Sequence, residues 1–159
     1  MTQENYPIHP AAELFPMMSE TEYEGLKEDI KRHGQRDFIM LWKRRLVDGR
    51  NRLRACEELG IEPAFTELSE EVDPVAWVLS HNLHRRHLTT SQRAMVATKL
   101  ATLLHGDVKS QKSDASIDAS SQSEAAGKLN VSRKSVQRAR TVATKATPKV
   151  VAAVEAGIR

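Results

Sequence analysis

Two arginine-rich segments, residues 49–55 and 81–88, have residue types that could bind phosphate. Each lies at one end of a predicted helix. Glycine lets a ligand approach the backbone closely, a helix start offers free N–H groups, and guanidinium groups donate paired hydrogen bonds. Together the segments could hold a triphosphate, although arginines at a helix start are usually only solvated. The residues predicted to contact a nucleotide are Gly49, Arg50, Asn51, Arg52, Asn82, Arg85 and Arg86.

A second chemistry, recognition of DNA, is indicated by residues 121–140. Ser121 and Glu124 fit a capping box for one helix, Asn130 fits a turn that needs a positive φ, and Ser132 fits the N-cap of a second helix. This is the spacing of a helix-turn-helix, whose second helix enters the major groove. An ordinary helical hairpin is the alternative. The side chains predicted to contact DNA are Gln122, Ser132, Arg133, Lys134, Ser135, Gln137 and Arg138.

Apolar positions in the same segment predict how its two helices pack. Ala126 supplies the small side chain that crossing helices need at their closest approach. The buried seam is predicted to contain Leu129, Val131, Val136 and Ala139. Because these positions point inward, the basic side chains between them are left to face outward.

The charge of the chain is divided unevenly along its length. Residues 108–159 contain ten Lys and Arg against four Asp and Glu, which gives 10 − 4 = +6. Residues 1–107 contain fourteen against seventeen, which gives 14 − 17 = −3. A basic C-terminal part on a slightly acidic body suggests a polyanionic partner, with a merely solvated basic surface as the alternative.

Composition bounds the class of protein. A chain of 159 residues can bury one core or two small ones, and 40% hydrophobic residues are ordinary for a globular protein. The single cysteine, Cys56, excludes an intrachain disulfide framework and suits a reducing compartment. No apolar run reaches membrane-spanning length and no signal-peptide pattern begins the chain, so we expect a cytoplasmic protein with no membrane partner.

The first half of the chain predicts a mixed α/β module. A capping box at Ser19 starts a helix that Gly34 ends. Strands are predicted over residues 37–42 and 45–48, with Lys43 and Arg44 between them. A helix follows over residues 50–59, and another strand over residues 64–68.

The second half predicts helices only. One begins at Pro74 after Asp73, and one begins after Thr89 or Thr90 and ends at Gly106. Residues 107–120 are polar and predict a linker. A last apolar helix, residues 149–156, has no evident packing partner, as in a fragment of a longer protein. The predicted class is α+β: a small mixed α/β domain over residues 1–88, then an all-helical domain over residues 89–159 that holds the helix-turn-helix, residues 121–140.

Taken together, the motifs resemble the ParB family of partition proteins and its ParB/sulfiredoxin-like superfamily. The family's first phosphate box, G-E-R-R-x-R-A, is similar to residues 49–55, and its second, E-N-x-x-R-x-x-L, is similar to residues 81–88. The resemblance implies a CTP- or ATP-binding N-terminal domain with Mg²⁺ beside Asn82. It also implies a homodimer on a palindromic DNA site, a partition ATPase or other protein partner, and a role in DNA partition or transcription regulation.

Departures from the family pattern bear on enzymatic activity. Arg50 stands where the family has an acidic residue, Asn51 where it has an arginine, and His81 where it has a glutamate. Imidazole is a poor ligand for a hard cation, and the lost carboxylate is the one linked to hydrolysis, so efficient NTP hydrolysis is not expected. No catalytic residue and no metal site are predicted. The alternatives are an NTP-dependent switch enzyme that clamps DNA, a nuclease-like superfamily member, and a scaffold for a protein partner.

Overall fold

The structure, a computed structural model, describes residues 6–85, 88–108 and 119–157. The chain forms two compact units, Met1–Arg85 and Arg86–Arg159, whereas the sequence placed the division after Leu88. The described residues contain seven α-helices and one three-stranded sheet, so the predicted α+β class is confirmed. None of the helices in these ranges is both long and apolar enough to cross a membrane.

The first unit holds the sheet. Its elements are a short 3-10 helix Pro10–Glu13, α1 Glu20–His33, β1 Ile39–Trp42, β2 Arg45–Asp48, α2 Arg50–Leu59, β3 Phe65–Glu67 and α3 Pro74–Arg85. The strand order is β2-β1-β3, with β1 antiparallel to β2 and parallel to β3. Leu41 is paired with Leu46 on one side and Glu67 on the other, so β1 is the central strand.

Local signals set the ends of these elements. The Ser19 N–H donates to the Glu22 carboxylate at 2.9 Å, which forms the predicted capping box, and Gly34 ends α1 with φ 75°. Lys43 and Arg44 have φ values of 46° and 57°, as the two-residue turn of a hairpin requires. Strand β1 begins at Ile39 rather than at residue 37, and β3 is shorter than the predicted strand over residues 64–68.

The core of the first unit includes two clusters of described residues. One joins the sheet to the 3-10 helix and contains Ala12, Ile39, Leu41 and Leu46. The other joins α1 to α2 and contains Tyr23, Ile30, Ala55 and Cys56. The Cys56 side chain is fully buried, and burial raises the pKa of its thiol. Helix α2 therefore has one side fixed in the interior, which sets the direction of the arginines at its start.

The second unit is a bundle around one long helix. Its elements are α4 Thr90–Val108, α5 Ala119–Lys128, α6 Arg133–Lys145 and α7 Pro148–Glu155, and α4 contacts the other three. The Thr89 hydroxyl accepts from the Gln92 N–H at 3.2 Å, so Thr89 is the residue that caps α4. Ala97 and Leu100 of α4 are fully buried.

The structure corrects three predictions about the segment before the helix-turn-helix. Helix α4 continues through Gly106 to Val108, and α5 already begins at Ala119, so both ends of the predicted linker are helical. Residues 109–118 of that linker lie outside the described residues. Ser121 is 8% exposed inside α5 and does not cap it. Packing against α4 favours the helix here over the loop preference of serine.

The last helix has a packing partner, contrary to the prediction. Val151 and Val154 of α7 pack against Ala94, Met95 and Ala139. Two polar contacts of Glu155 also hold α7 against α4. Its backbone carbonyl accepts a hydrogen bond from the Gln92 side chain at 2.9 Å, and its carboxylate forms an ion pair with Lys99 at 2.7 Å. Helix α7 is therefore part of the bundle.

Candidate nucleic-acid interface

The turn between α5 and α6 is built by backbone hydrogen bonds. The Val131 N–H donates to the Ala126 carbonyl at 3.0 Å, and the Asn130 N–H donates to the Gly127 carbonyl at 3.2 Å. This pair of bonds is the Schellman motif, which needs a left-handed residue at Asn130. Asn130 has φ 51°, so the predicted positive φ is confirmed.

Helix α6 begins with two serine hydroxyls. Ser132 has extended backbone angles, and its hydroxyl accepts from the Ser135 N–H at 3.1 Å, which confirms it as the N-cap. The Ser132 and Ser135 hydroxyls also lie 2.9 Å apart. Both are therefore held at the positive end of the helix dipole, where an anion is favoured.

The interior side of the helix pair matches most of the predicted seam. Ala126, Leu129, Val136 and Ala139 are all buried. Val131 is only half-buried, because it follows the left-handed residue and lies at the edge of the turn. Val131 therefore contributes only in part to the predicted buried seam.

One polar residue of this interior escaped the sequence analysis. The Thr98 hydroxyl lies 3.0 Å from the Ala94 carbonyl of its own helix and 3.3 Å from the Val136 carbonyl of α6. It therefore links α4 to the first turn of α6 from a position that is 7% exposed. The available signal was a single hydroxyl next to the apolar run of residues 94–97.

The outward side of α6 is polar and cationic. Lys134, Gln137, Arg138 and Thr141 are all exposed, and their three- and four-residue spacing places them on one side of the helix, opposite Val136. Helix α6 carries five cations and no acidic residue, namely Arg133, Lys134, Arg138, Arg140 and Lys145.

Charge compensation is absent for three of these cations within the described part of the chain. Arg133, Lys134 and Arg138 form no ion pair and donate no side-chain hydrogen bond to any described residue. Most cations of α1 differ, since Arg32, for example, pairs with Glu28 at 2.8 Å. The exposed side of α6 therefore has donors that a ligand could use without breaking an internal contact.

Gln122 differs from the other predicted DNA contacts. It lies in α5 and is only 6% exposed, whereas Ser132, Arg133, Lys134, Gln137 and Arg138 are exposed and Ser135 is half-buried. A DNA contact by the Gln122 side chain would need that side chain to rotate out of the interior. Its role at DNA stays a prediction.

The first phosphate box, residues 49–55, lies at the β2–α2 junction. Gly49 has φ 101°, and a Cβ there would lie 3.1 Å from the Ile39 Cγ1 atom. Gly49 is also the N-cap of α2, with no side-chain cap on the first-turn N–H groups. A glycine is therefore required at position 49 by the backbone angle and the close approach of Ile39. The helix start that follows it remains open to an anion.

The two arginines of this box that were predicted to bind nucleotide, Arg50 and Arg52, have internal partners. Arg50 Nη2 donates to the Phe15 carbonyl at 2.6 Å, and burial lowers the pKa of this guanidinium, partly offset by Glu13 and Asp48. Arg52 Nη2 donates to the Asp48 carboxylate at 2.9 Å and to the Phe38 carbonyl at 3.1 Å. A phosphate bound here would have to compete with these contacts.

The second box contributes little open surface among its described side chains. Asn82 is 4% exposed and donates to the Val78 carbonyl at 3.0 Å. The His81 ring is exposed and stacks on Trp77, with 3.8 Å between centroids. The Arg85 side chain and all of Arg86 lie outside the described residues. Asn51 of the first box is half-buried, and nucleotide binding by this set stays a prediction.

No protein-family model, curated protein or solved structure matches the chain. Within the described ranges, no group of three or more His, Cys, Asp or Glu is placed to hold a metal ion.

Proposed function

We propose that this protein binds double-stranded DNA in a sequence-specific manner through α6. The observation that carries the proposal is the uncompensated cationic side of α6, which lies opposite the packed Val136 and Ala139. The Asn130 turn supports it, because a helix-turn-helix needs a short, defined connection between its helices. An ordinary hairpin would need no such surplus of charge on one side.

The residue types on α6 suggest how the work is divided. Arg138 and Gln137 suit base edges, since arginine pairs with guanine and glutamine with adenine in the major groove. Arg133 and Lys134, in the first turn of α6, suit phosphates. The Ser132 hydroxyl and the N–H groups at the helix start suit a phosphate beside the groove.

The wider role follows the resemblance drawn from the motifs. We place the chain as a ParB-like cytoplasmic protein that acts in DNA partition or transcription regulation. A homodimer on a palindrome fits a helix-turn-helix, because two-fold symmetric proteins read two-fold symmetric sites. A partition ATPase would be the protein partner in DNA partition, and another protein could take that place in transcription regulation.

Selection from random DNA, followed by fluorescence anisotropy on the enriched duplex, tests the proposal. Arg138→Ala and Gln137→Ala should each cost about 1–3 kcal/mol, which is about 5- to 150-fold in affinity. Arg32→Ala in α1 removes the same charge from a side chain that is 67% exposed and should leave affinity unchanged. No enrichment of any sequence, or no loss in either α6 variant, would refute sequence-specific binding by this helix.

A second candidate is nucleotide binding at the start of α2. The uncapped N–H groups after Gly49, next to Arg50 and Arg52, favour an anion there. Bound CTP or ATP with Mg²⁺ would make the protein a nucleotide-dependent switch that clamps DNA. Arg85 and Arg86 would add donors from the second box.

Isothermal titration with CTP and ATP, with Mg²⁺ and with and without the selected duplex, tests this second candidate. Binding should weaken in Arg52→Ala, whose partner Asp48 stays in place, and should be unchanged in Arg32→Ala. Heats equal to dilution for both nucleotides would remove the switch and leave DNA binding alone.

A further inference from the structure

A half-open cavity of about 260 Å³ lies at the surface of the second unit, beside the outward side of α6. Its apolar lining comes from three helices, with Ala94 and Met95 of α4, Val142 of α6 and Val154 of α7. Its polar lining includes Ser91 at the start of α4 and Arg138 of α6. The cavity therefore joins an apolar floor to a cation that we assign to DNA contact.

Two polar groups of this cavity have unused hydrogen-bonding capacity. The Arg138 guanidinium donates no hydrogen bond to any described residue and forms no ion pair with one, and the Ser91 hydroxyl makes no hydrogen bond within the described part of the chain. A guanidinium is always charged at physiological pH and binds carboxylates through paired hydrogen bonds. This end of the cavity is therefore complementary to a carboxylate.

The apolar lining and the volume restrict the rest of the ligand. A volume of 260 Å³ is slightly below the range of about 300–1,000 Å³ that is usual for small-molecule sites. Helix α7 contributes Val154 to the lining and is held in place by Gln92 and Lys99 of α4. A concavity bounded by three packed helices suits a compact molecule better than a strand or helix of another protein.

We propose that this cavity binds a small organic acid, whose carboxylate pairs with Arg138 and whose hydrocarbon part contacts Met95 and Val142. Binding of the acid stands independently of the proposed DNA-binding function, whereas its competition with DNA rests on that function. A guanidinium paired with a carboxylate keeps its charge, but the pair has no net charge and its donors are occupied. The bound acid therefore competes with DNA for Arg138 and lowers the affinity of α6 for its site.

An NMR titration of the full chain tests the binding step without DNA. Sodium hexanoate is the probe, and hexanamide is the neutral probe of the same size. Hexanoate should shift the methyl signals of Met95, Val142 and Val154. Hexanamide should bind about tenfold more weakly, because it has no negative charge and only one of the two oxygens that accept the paired hydrogen bonds. Arg138→Gln should make the two probes equal.

A substitution that fills the cavity is the control, because it leaves the side chains assigned to DNA contact unchanged. Val142 is half-buried, so Val142→Phe adds volume at the cavity wall without removing a charge. This variant should bind the selected duplex as the wild type does but should lose the hexanoate shifts. If it fails to fold, by the spread of its amide signals, Val154→Phe on α7 replaces it.

The DNA step is measured by anisotropy on the selected duplex with increasing hexanoate or hexanamide. Hexanoate should weaken wild-type binding and leave Val142→Phe unaffected, and hexanamide should have no effect at the same concentration. Equal methyl shifts from both probes, or no shifts from hexanoate, would refute the proposed carboxylate site without contradicting DNA binding by α6. Hexanoate shifts in a protein that binds no duplex would refute the DNA function and the competition but keep the site.

Discussion

The Val131 N–H donates to the Ala126 carbonyl at 3.0 Å, five residues earlier, and so closes the end of α5 onto the start of α6. Asn130 stands inside this closed turn with φ 51°. Because Asn130 and Val131 are fixed by backbone bonds, the turn itself sets the direction in which α6 leaves it. The exposure of Lys134 and Arg138 depends on that direction.

The first prediction concerns Asn130. Asn130→Val should lower the free energy of unfolding by about 1–2 kcal/mol, since a left-handed backbone is costly for residues other than glycine and asparagine. Asn130→Gly should stay within about 1 kcal/mol of the wild type. Urea unfolding followed by circular dichroism measures both. Equal losses in the two variants would show that the side chain, not the backbone angle, matters at this position.

The second prediction concerns Gly49 at the start of α2. Gly49→Ala should destabilise the protein by about 1–3 kcal/mol, because φ is 101° and the new Cβ would lie 3.1 Å from Ile39 Cγ1. Gly25→Ala in α1 is the matched control, since a Cβ there meets nothing within 4 Å. The control should be neutral or more stable by about 1 kcal/mol, in line with helix propensity. Thermal unfolding of both variants gives the comparison, and a neutral Gly49→Ala would contradict the close approach.

The third prediction concerns the ion pair between Asp48 and Arg52. These side chains are 16% and 15% exposed, so Asp48→Asn leaves a guanidinium poorly compensated. We expect a loss of about 1–3 kcal/mol in the free energy of unfolding. Glu28→Gln breaks the exposed pair with Arg32 at the same spacing and should cost less than about 1 kcal/mol.

The same Asp48→Asn variant bears on the nucleotide candidate. Without Asp48, the Arg52 guanidinium loses its competitor for a phosphate. If the start of α2 binds nucleotide, titration with CTP should show tighter binding in this less stable variant. Unchanged or weaker binding would indicate that Arg52 has only the structural role seen in its contacts with Asp48 and Phe38.

The fourth prediction concerns pH and Glu58 of α2. A hydrogen bond from Lys27, reinforced by one from Arg54, lowers the pKa of this carboxyl from 4.5 to about 2. Because the folded-state pKa is the lower one, the stabilisation is complete above pH 4.5 and is lost as the pH falls towards about 2.

Thermal unfolding between pH 7 and pH 2 checks this dependence. Glu58→Gln should unfold at a lower temperature than the wild type at neutral pH, and the difference should shrink below pH 4.5. Glu57→Gln is the matched control, since Glu57 forms no ion pair with a described residue. A difference between Glu58→Gln and wild type that is constant across the whole range would contradict the role of the ionised carboxyl.

The sequence alone predicted the elements whose ends are set by local signals, such as side-chain caps and residues with positive φ. Ser19 and Ser132 cap helices by local hydrogen bonds, and Gly34, Gly60 and Asn130 adopt positive φ at helix ends. Such signals are complete within a few residues, so no tertiary information is needed to read them. The turn of the candidate interface belongs to this group.

Sequence alone could not place features that depend on distant partners. The start of α5 lies in a stretch rich in serine, and it is helical where Ser121 and Gln122 are buried in the bundle. Arg50 is directed inward by the Phe15 carbonyl, which is 35 residues away in the chain. A guanidinium in a basic motif fits either an internal carbonyl or a phosphate, and only the fold decides between them.

Recognition of DNA by α6 is tested by an amide NMR titration of the full chain with its selected duplex, beside a scrambled duplex of equal length. We expect the largest shifts specific to the selected duplex to fall between Ser132 and Arg138. These shifts should vanish in the Arg138→Ala, Gln137→Ala double variant, while a fold-reporting signal such as Leu100 is unchanged. Shifts of equal size with both duplexes, or specific shifts confined to residues outside α6, would contradict recognition of DNA by this helix.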